Sequence, residues 1–352
     1  MLADVRTGEY GLTNLSLINN KTWLNGRNTE YPTLAKPCPW LQALTNPTIS
    51  IQVQKVTVMT KFFSLIGLLF LLTGCNQNPG KREQTDKTEK QTTFRMYSKD
   101  VADSFSIFVN LPNNYNPQKG KYPVVYLLDA NLYFNIIATI INKYSEVGLA
   151  PSVILVGVGY KDFATMDSLR NRDYTYPTAI PEYQMSVSGG ANKFLSFINN
   201  DLIPHIDKYY KTDTSKRVLM GHSLGGYFIG YTLLQDLMGK CNSFSSYIAA
   251  SPSIHYNKYY LLNRFKEIAT QKDRHKKVKT YITYGGQEDA ESKTDTSIMR
   301  LSNLTGQLSN VFSVKQSKYL IYKSDIYSNL DHMDTQIPTF IKGLQWTLSE
   351  NK

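Results

Sequence analysis

Residues 217–226, Arg-Val-Leu-Met-Gly-His-Ser-Leu-Gly-Gly, place a Gly-x-Ser-x-Gly motif between two apolar runs. The residues before Gly221 predict a strand, and Leu224–Leu237 predicts a helix. In so tight a turn, a side chain on Gly221 or Gly225 would collide with neighbouring backbone. Ser223 is therefore predicted to lie on a strained bend with its hydroxyl exposed above a sheet. The motif points to a serine nucleophile, with an oxyanion stabilised by the N-terminus of the following helix.

Outward from this motif, apolar runs of strand length alternate with runs of helical periodicity. The runs 122–128 and 153–158 are continuously apolar, as expected of strands covered on both faces. An antiparallel strand pair is expected at the start, over 94–97 and 105–111. The sequence predicts one α/β domain over 94–352, with a mostly parallel central sheet and helices on both faces. Further strands are expected at 244–250, 279–284 and 319–322, and further helices at 193–210, 259–269, 298–308 and 337–348.

A serine nucleophile needs a base, and the chain has 5 histidines. His332 follows the last predicted strand, in a loop expected to overhang the carboxyl edge of the sheet, so we expect it to be the base. The acid should follow the strand 279–284, where Glu288 and Asp289 both could orient the imidazole. Asp289 is slightly preferred, and the choice between the two stays open.

An oxyanion hole needs two N–H donors. The first is expected to be the backbone N–H of Leu224, directly after the nucleophile. The second is expected from the loop that follows strand 122–128, where Ala130 or Asn131 could supply it.

Together these residues resemble the putative-esterase family of α/β-hydrolases, which includes esterase D and the enterochelin-esterase-like enzymes. The resemblance rests on the order of several local matches, which are 122–129, 170–174, 188–191, 202–204, 221–226, 251–253, His332 and 343–344. It implies an α/β-hydrolase fold and serine-dependent hydrolysis of carboxylic esters, thioesters or the lactone bonds of catecholate siderophores. His255 departs from the family pattern, because an aromatic residue is expected after Ser251-Pro252-Ser253.

Substrate contacts are expected from four residues near the motif. Arg170, Arg172 and Tyr174 lie in a predicted loop that could cap the cleft and contact an anionic acyl or catechol group. A structural pairing of the arginines with Asp173 is the open alternative. His222 is a further candidate, although its side chain should project away from the nucleophile.

The first 93 residues are expected to lie outside the domain. Residues 59–75 resemble a bacterial lipoprotein signal peptide that ends in the lipobox Leu72-Thr73-Gly74-Cys75. The resemblance implies cleavage before Cys75, lipid attachment to that residue, and anchoring in the bacterial cell envelope, at the outer membrane or facing the periplasm. Residues 76–93 predict a flexible tether, and 1–58 are interpreted as an over-extended N-terminal segment.

The net charge and the cysteine spacing limit the classes of ligand and cofactor that the chain is expected to bind. Lys and Arg number 39 against 28 Asp and Glu, a net charge of +11 that suits anionic ligands, but without the clustered stripe of a nucleic-acid-binding protein. The 3 cysteines show no metal-binding spacing. Acyl transfer through a serine, histidine and acid requires neither a metal nor an organic cofactor, so none is expected. A small-molecule ester is the predicted substrate. The alternatives are a feruloyl- or acetyl-type carbohydrate esterase and a non-catalytic, ligand-binding surface lipoprotein on the same fold.

Overall fold

The computed structural model describes residues 90–268, 277–293, 298–315 and 318–349. The predicted segments 1–58 and 59–75, Cys75 included, lie outside the described residues, as does most of the predicted tether. Among the helices of the described ranges, none is both long enough and apolar enough to cross a membrane.

The described residues form a twisted sheet of 8 strands in the order β1-β2-β4-β3-β5-β6-β7-β8. Strand β2 pairs antiparallel with both β1 and β4, and every other pairing is parallel. The mostly parallel α/β sheet with an antiparallel N-terminal pair, predicted from the sequence, is confirmed. The strands are β1 Gln91–Ser98, β2 Asp103–Asn110, β3 Tyr122–Leu127, β4 Ile154–Gly159, β5 Thr212–His222, β6 Ser246–Ala250, β7 Val278–Gly285 and β8 Leu320–Tyr327.

Helices cover both faces of the sheet because its central strands are apolar on both sides. Along β3, Val125 and Leu127 pack with α1 and α8, whereas Val124 and Tyr126 face the other helices. This alternation follows from the two-residue period of a strand. The helices are α1 Ala130–Glu146, α2 Phe163–Tyr174, α3 Ala191–Phe197, α4 Ile203–Tyr209, α5 Leu224–Leu237, α6 Tyr256–Glu267, α7 Leu301–Ser309 and α8 Gln336–Leu348. A π-helical turn, Ile198–Leu202, joins α3 to α4.

Three details differ from the sequence-based expectation. Strand β1 begins at Gln91, inside the predicted tether, because its first three residues pair with residues 108–110 of β2. The residues after Asp129, expected as a loop, begin the long helix α1. The expected loop around Arg170 is helix α2, whose first turn is capped by the Asp162 side chain accepting from the Thr165 N–H.

Helix α8 packs closely on the sheet at a glycine. A Cβ added at Gly343 would lie 2.7 Å from Cγ2 of Ile248 and 3.0 Å from Cδ1 of Tyr281, both of which are fully buried. The backbone of α8 therefore approaches β6 and β7 more closely than a side chain at this position would allow.

Replacing Gly343 by Ala is expected to lower the free energy of unfolding by about 1–3 kcal/mol, because an extra methyl group overfills a packed core. Gly306 in α7 is the matched control, since a Cβ added there would have no atom within 4 Å. Gly306→Ala should raise the free energy of unfolding by up to about 1 kcal/mol through its higher helix propensity. Urea unfolding followed by circular dichroism measures both, and equal effects of the two substitutions would contradict the close approach.

Candidate active site

The nucleophile candidate lies on a strained turn between β5 and α5. Ser223 has φ 57° and ψ −118°, a conformation that L-residues rarely adopt. Its N–H donates to the carbonyl of Ala250 at 3.0 Å, which ties the turn to the end of β6. A Cβ added at Gly221 would lie 3.1 Å from the carbonyl carbon of Gly225, so the tight turn expected from the glycine spacing is present.

The structure brings Ser223 and His332 together across 109 residues of sequence. Nε2 of His332 lies 2.9 Å from Oγ of Ser223, and Nδ1 of the same ring lies 2.9 Å from Oε2 of Glu288. Because an ionised carboxylate can only accept, Nδ1 carries the proton and the Nε2 lone pair faces the serine hydroxyl. The side chains of His332 and Glu288 are only 13% and 12% exposed. This is the arrangement of a serine–histidine–acid triad.

The preference for Asp289 as the acid is wrong. Glu288 makes the hydrogen bond to His332, while Oδ1 of Asp289 accepts from the N–H of Leu301 at 2.7 Å, at the start of α7. Both residues lie on the 3₁₀ turn Gly286–Lys293, where successive side chains point about 120° apart. One carboxylate therefore faces the imidazole and the next faces the following helix.

Two glycines bring the acid and the base within reach. A Cβ added at Gly285 would lie 2.9 Å from the carbonyl oxygen of Asp331 and closer still to that of Leu330. A Cβ at Gly286 would lie 2.7 Å from the carbonyl oxygen of Ser328. The loop that carries His332 therefore lies directly on the end of β7, where larger residues would hold it away.

Glu288 is held by more than the imidazole. Its Oε1 accepts from the N–H of Gly285 at 2.6 Å and from the hydroxyl of Ser251 at 2.7 Å. The Ser251 hydroxyl is also 2.7 Å from Oγ1 of the buried Thr335. These hydrogen bonds fix the rotamer of the Glu288 carboxylate. Sequence reasoning missed the roles of Ser251 and Thr335, although Ser251-Pro252-Ser253 is one of the local matches to the family.

Ser253 contacts the nucleophile directly. Its Oγ lies 3.4 Å from Oγ of Ser223, and its N–H donates to the Ser223 carbonyl at 3.1 Å. The loop after β6 thus supports the acid through its first serine and the nucleophile through its second.

The expected oxyanion donors begin two neighbouring helices. Leu224 is the first residue of α5, and Ala130 and Asn131 are the first two of α1. The first N–H groups of a helix have no intrahelical acceptor and lie at its positive end. Strands β3 and β5 are adjacent and in register, with Leu127 opposite Met220, so both helices start at the same edge of the sheet. The Asn131 side chain bonds the backbone of Tyr160, which leaves only its N–H for this role.

Arg170 and Tyr174, which the sequence predicted as substrate contacts, support the turn before α1. Arg170 donates to both carboxylate oxygens of Asp129, at 3.0 and 2.8 Å, and this ion pair is largely buried. The Asp129 N–H donates to the hydroxyl of Tyr174, which is fully buried. Asp129 has φ 52°, so these contacts stabilise an unfavourable backbone conformation directly before Ala130.

Arg172 is also structural. It pairs with the buried Asp173 at 2.8 Å and with Asp103 at 3.1 Å. The alternative left open by the sequence, an Arg–Asp pairing with Asp173, is therefore the one present. Burial raises the pKa of Asp173, and the hydrogen bonds and charge of Arg172 oppose that shift.

Three of the four remaining histidines lie within the described residues, in different surroundings. His222 is 2% exposed, and its ring centroid lies 4.7 Å from that of His332. Its assignment to substrate binding stays a prediction. His205 packs against Phe94 and Tyr209. His255 is exposed and directly precedes α6. His275 lies outside the described residues.

No three His, Cys, Asp or Glu side chains converge as a metal-binding group within the parts of the chain that the structure describes. That the chain needs no cofactor stays a prediction.

Solved structures share this architecture. The BES protein from Bacillus cereus superposes with a TM-score of 0.61 at 26% identity, covering 75% of this chain and 96% of that one. The siderophore hydrolase EstB from Aspergillus nidulans matches with a TM-score of 0.61 at 22% identity, covering 73% and 93% of the two chains, which shows the fold alone.

Sequence comparison finds characterised relatives. The ferri-bacillibactin esterase BesA of Bacillus subtilis is 37% identical over 52% of this chain and 69% of its own length. The apo-salmochelin esterase of Escherichia coli is 28% identical over 50% of this chain and 57% of its own. The family model described as "Putative esterase" matches residues 98–343, which include Ser223, Glu288 and His332. The assignment to ester hydrolases made from the sequence is confirmed, and the chain belongs to the Putative esterase family.

Proposed function

We propose that the chain hydrolyses carboxylic esters through an acyl-enzyme on Ser223, with His332 as general base and Glu288 as the orienting acid. One observation carries this proposal: a single imidazole lies 2.9 Å from both the Ser223 hydroxyl and the Glu288 carboxylate. Family membership independently supports ester hydrolysis.

In the first half-reaction, Oγ of Ser223 bonds to the ester carbonyl carbon while its proton passes to Nε2 of His332. The carboxylate of Glu288 stabilises the imidazolium that forms and keeps Nδ1 protonated. The tetrahedral intermediate collapses as the bond to the leaving oxygen breaks, and His332 returns the proton to that oxygen. The alcohol leaves and the acyl group stays on Ser223.

Two backbone N–H groups stabilise the oxyanion in this proposal. The N–H of Leu224 and that of Ala130 or Asn131 are at the positive ends of α5 and α1. Removing one donor of this kind lowers kcat by a factor of about 10²–10³ in well-studied hydrolases. The buried pair of Arg170 with Asp129 supports the second donor by fixing the turn before α1.

In the second half-reaction, water attacks the acyl carbon while His332 accepts its proton. The bond from the acyl carbon to Oγ of Ser223 then breaks, and the proton passes from Nε2 to that oxygen. The carboxylic acid product leaves, and the free serine hydroxyl is restored.

The substrate class is proposed to be a siderophore ester. The two characterised relatives described above are named for siderophore hydrolysis, and their matches span 69% and 57% of their lengths. The net charge of +11 suits an anionic catecholate ligand.

We further propose that the mature chain is lipid-anchored through Cys75 in a bacterial envelope, at the outer membrane or facing the periplasm. The signal-like run 59–75 and the polar segment after it support this proposal.

Ser223→Ala should lower turnover of p-nitrophenyl acetate by at least about 10⁴-fold and abolish fluorophosphonate labelling, because no other group replaces the nucleophile. Ser302→Ala, on the exposed face of α7, is the matched control and should retain wild-type activity. Circular dichroism verifies that both variants fold. Labelling that persists in Ser223→Ala would refute the assignment.

Glu288→Gln should lower kcat by about 10²–10⁴-fold, because the neutral amide no longer stabilises the imidazolium. Asp289→Asn, at the neighbouring residue, is the control. The kcat of this variant should stay within about threefold of wild type. Its free energy of unfolding should fall by about 1 kcal/mol, because the contact with the Leu301 N–H is weakened. Steady-state kinetics and thermal unfolding separate these effects. A larger kcat loss in Asp289→Asn would restore the sequence-based preference.

A substrate panel tests the proposed class. A catecholate trilactone should be cleaved with a kcat/KM at least about tenfold above a feruloyl sugar ester and a simple acetyl ester, because specificity is expressed as differential transition-state binding. Product chromatography measures each reaction. Preference for the feruloyl or acetyl ester would support the carbohydrate-esterase alternative, and binding of the trilactone without turnover would support the ligand-binding one.

A further inference from the structure

The residue next to the nucleophile is connected to the general base. His222, the last residue of β5, places its Nε2 at 2.8 Å from the backbone carbonyl oxygen of His332. Its Nδ1 lies 3.0 Å from the hydroxyl of Tyr133 on α1. We propose that His222 is a positioning residue, whose Nε2–H holds the backbone of His332 and so aims the imidazole at Ser223. This inference rests on the proposed function.

The hydrogen-bond chemistry allows one arrangement of protons. A carbonyl oxygen only accepts, so Nε2 of His222 must carry the proton that it donates to His332. In a neutral ring Nδ1 then has a free lone pair, and the Tyr133 hydroxyl is its donor. Tyr133 thereby selects the tautomer of His222 that can bond the His332 carbonyl.

The surroundings keep this ring neutral. Desolvation lowers the pKa of His222 to about 3, and the charges of His332 and Arg170 act in the same direction, while the hydrogen bond to the His332 backbone opposes them. Burial raises the pKa of the Tyr133 phenol, which is therefore protonated at neutral pH. The carboxylates of Asp129 and Glu288 are bonded to Arg170 and His332, and that of Asp331 accepts from the N–H of His332. His222 therefore donates to His332 without adding a positive charge when the imidazolium forms.

The contact completes the support of His332. The N–H of His332 donates to Oδ1 of Asp331 at 2.7 Å, and its carbonyl oxygen lies 3.2 Å from Oγ1 of Thr335. The hydrogen bond from His222 to this carbonyl is shorter, at 2.8 Å, and it comes from the strand that leads to the nucleophile. It therefore links the position of the base to that of Ser223 through a rigid element.

Two substitutions distinguish the proposed hydrogen-bonding role of His222 from a role in packing alone. His222→Phe keeps a planar ring but has no donor, and its kcat for p-nitrophenyl acetate should fall by about 10–100-fold with KM within about threefold, because small displacements of a base cost this much. His222→Gln offers an amide N–H near the original Nε2. Its kcat should be at least about tenfold higher than that of His222→Phe. His205→Gln, in α4, is the matched control and should match wild type.

Failures of the two proposals are distinguishable. A wild-type protein that neither turns over esters nor reacts with a fluorophosphonate contradicts the proposed function. An active wild type with unchanged kcat in His222→Phe contradicts the positioning role, as do equal losses in the Phe and Gln variants.

A spectroscopic test of the tautomer needs no turnover. In ¹⁵N-histidine-labelled wild type, one ring should stay neutral in the Nε2–H tautomer down to pH 5, because its pKa is near 3. Loss of that signal in His222→Gln assigns it. A His222 ring that titrates near pH 6.5, or that holds its proton on Nδ1, would overturn the inference.

Discussion

The close approach of two loops at Gly285 and Gly286 is the constraint on which the site depends. Strand β7 ends at these glycines, and the chain that returns from β8 lies on them at a distance that any Cβ would prevent. Glu288 follows on one side and His332 on the other, so their hydrogen bond forms because the two backbones can touch. The imidazole then reaches Ser223, which the tight turn at Gly221 holds above β5.

The sequence predicted the part of this site that follows from periodicity and chain order. Parallel strands end at one edge of a sheet, so a serine after one strand and a histidine after the last could be expected to meet. Ser223 and His332 do meet, and Leu224 and Ala130 begin helices at the same edge. The alternation of apolar runs likewise predicted the sheet and its two covered faces.

Side-chain direction within turns and the partners of buried charges could not be predicted in this way. Glu288 and Asp289 are neighbours of equal chemistry, and only the path of the 3₁₀ turn decides which carboxylate faces the imidazole. Arg170 looked like a ligand for anions, but its partner Asp129 lies 41 residues away in the sequence. Helix α2 has no clear apolar stripe, which is why its residues were predicted as a loop.

Three neighbouring strand ends contribute to the site. The end of β5 holds the nucleophile, that of β6 supports both nucleophile and acid through Ser253 and Ser251, and that of β7 carries the acid.

The central claim is that Ser223 is the nucleophile. Mass spectrometry of the enzyme quenched during the first turnover of an activated ester tests it most directly. The acyl group should be found on the peptide that contains Ser223 and on no other. An acyl group on a different residue, or a product burst without any acylated peptide, would contradict the account.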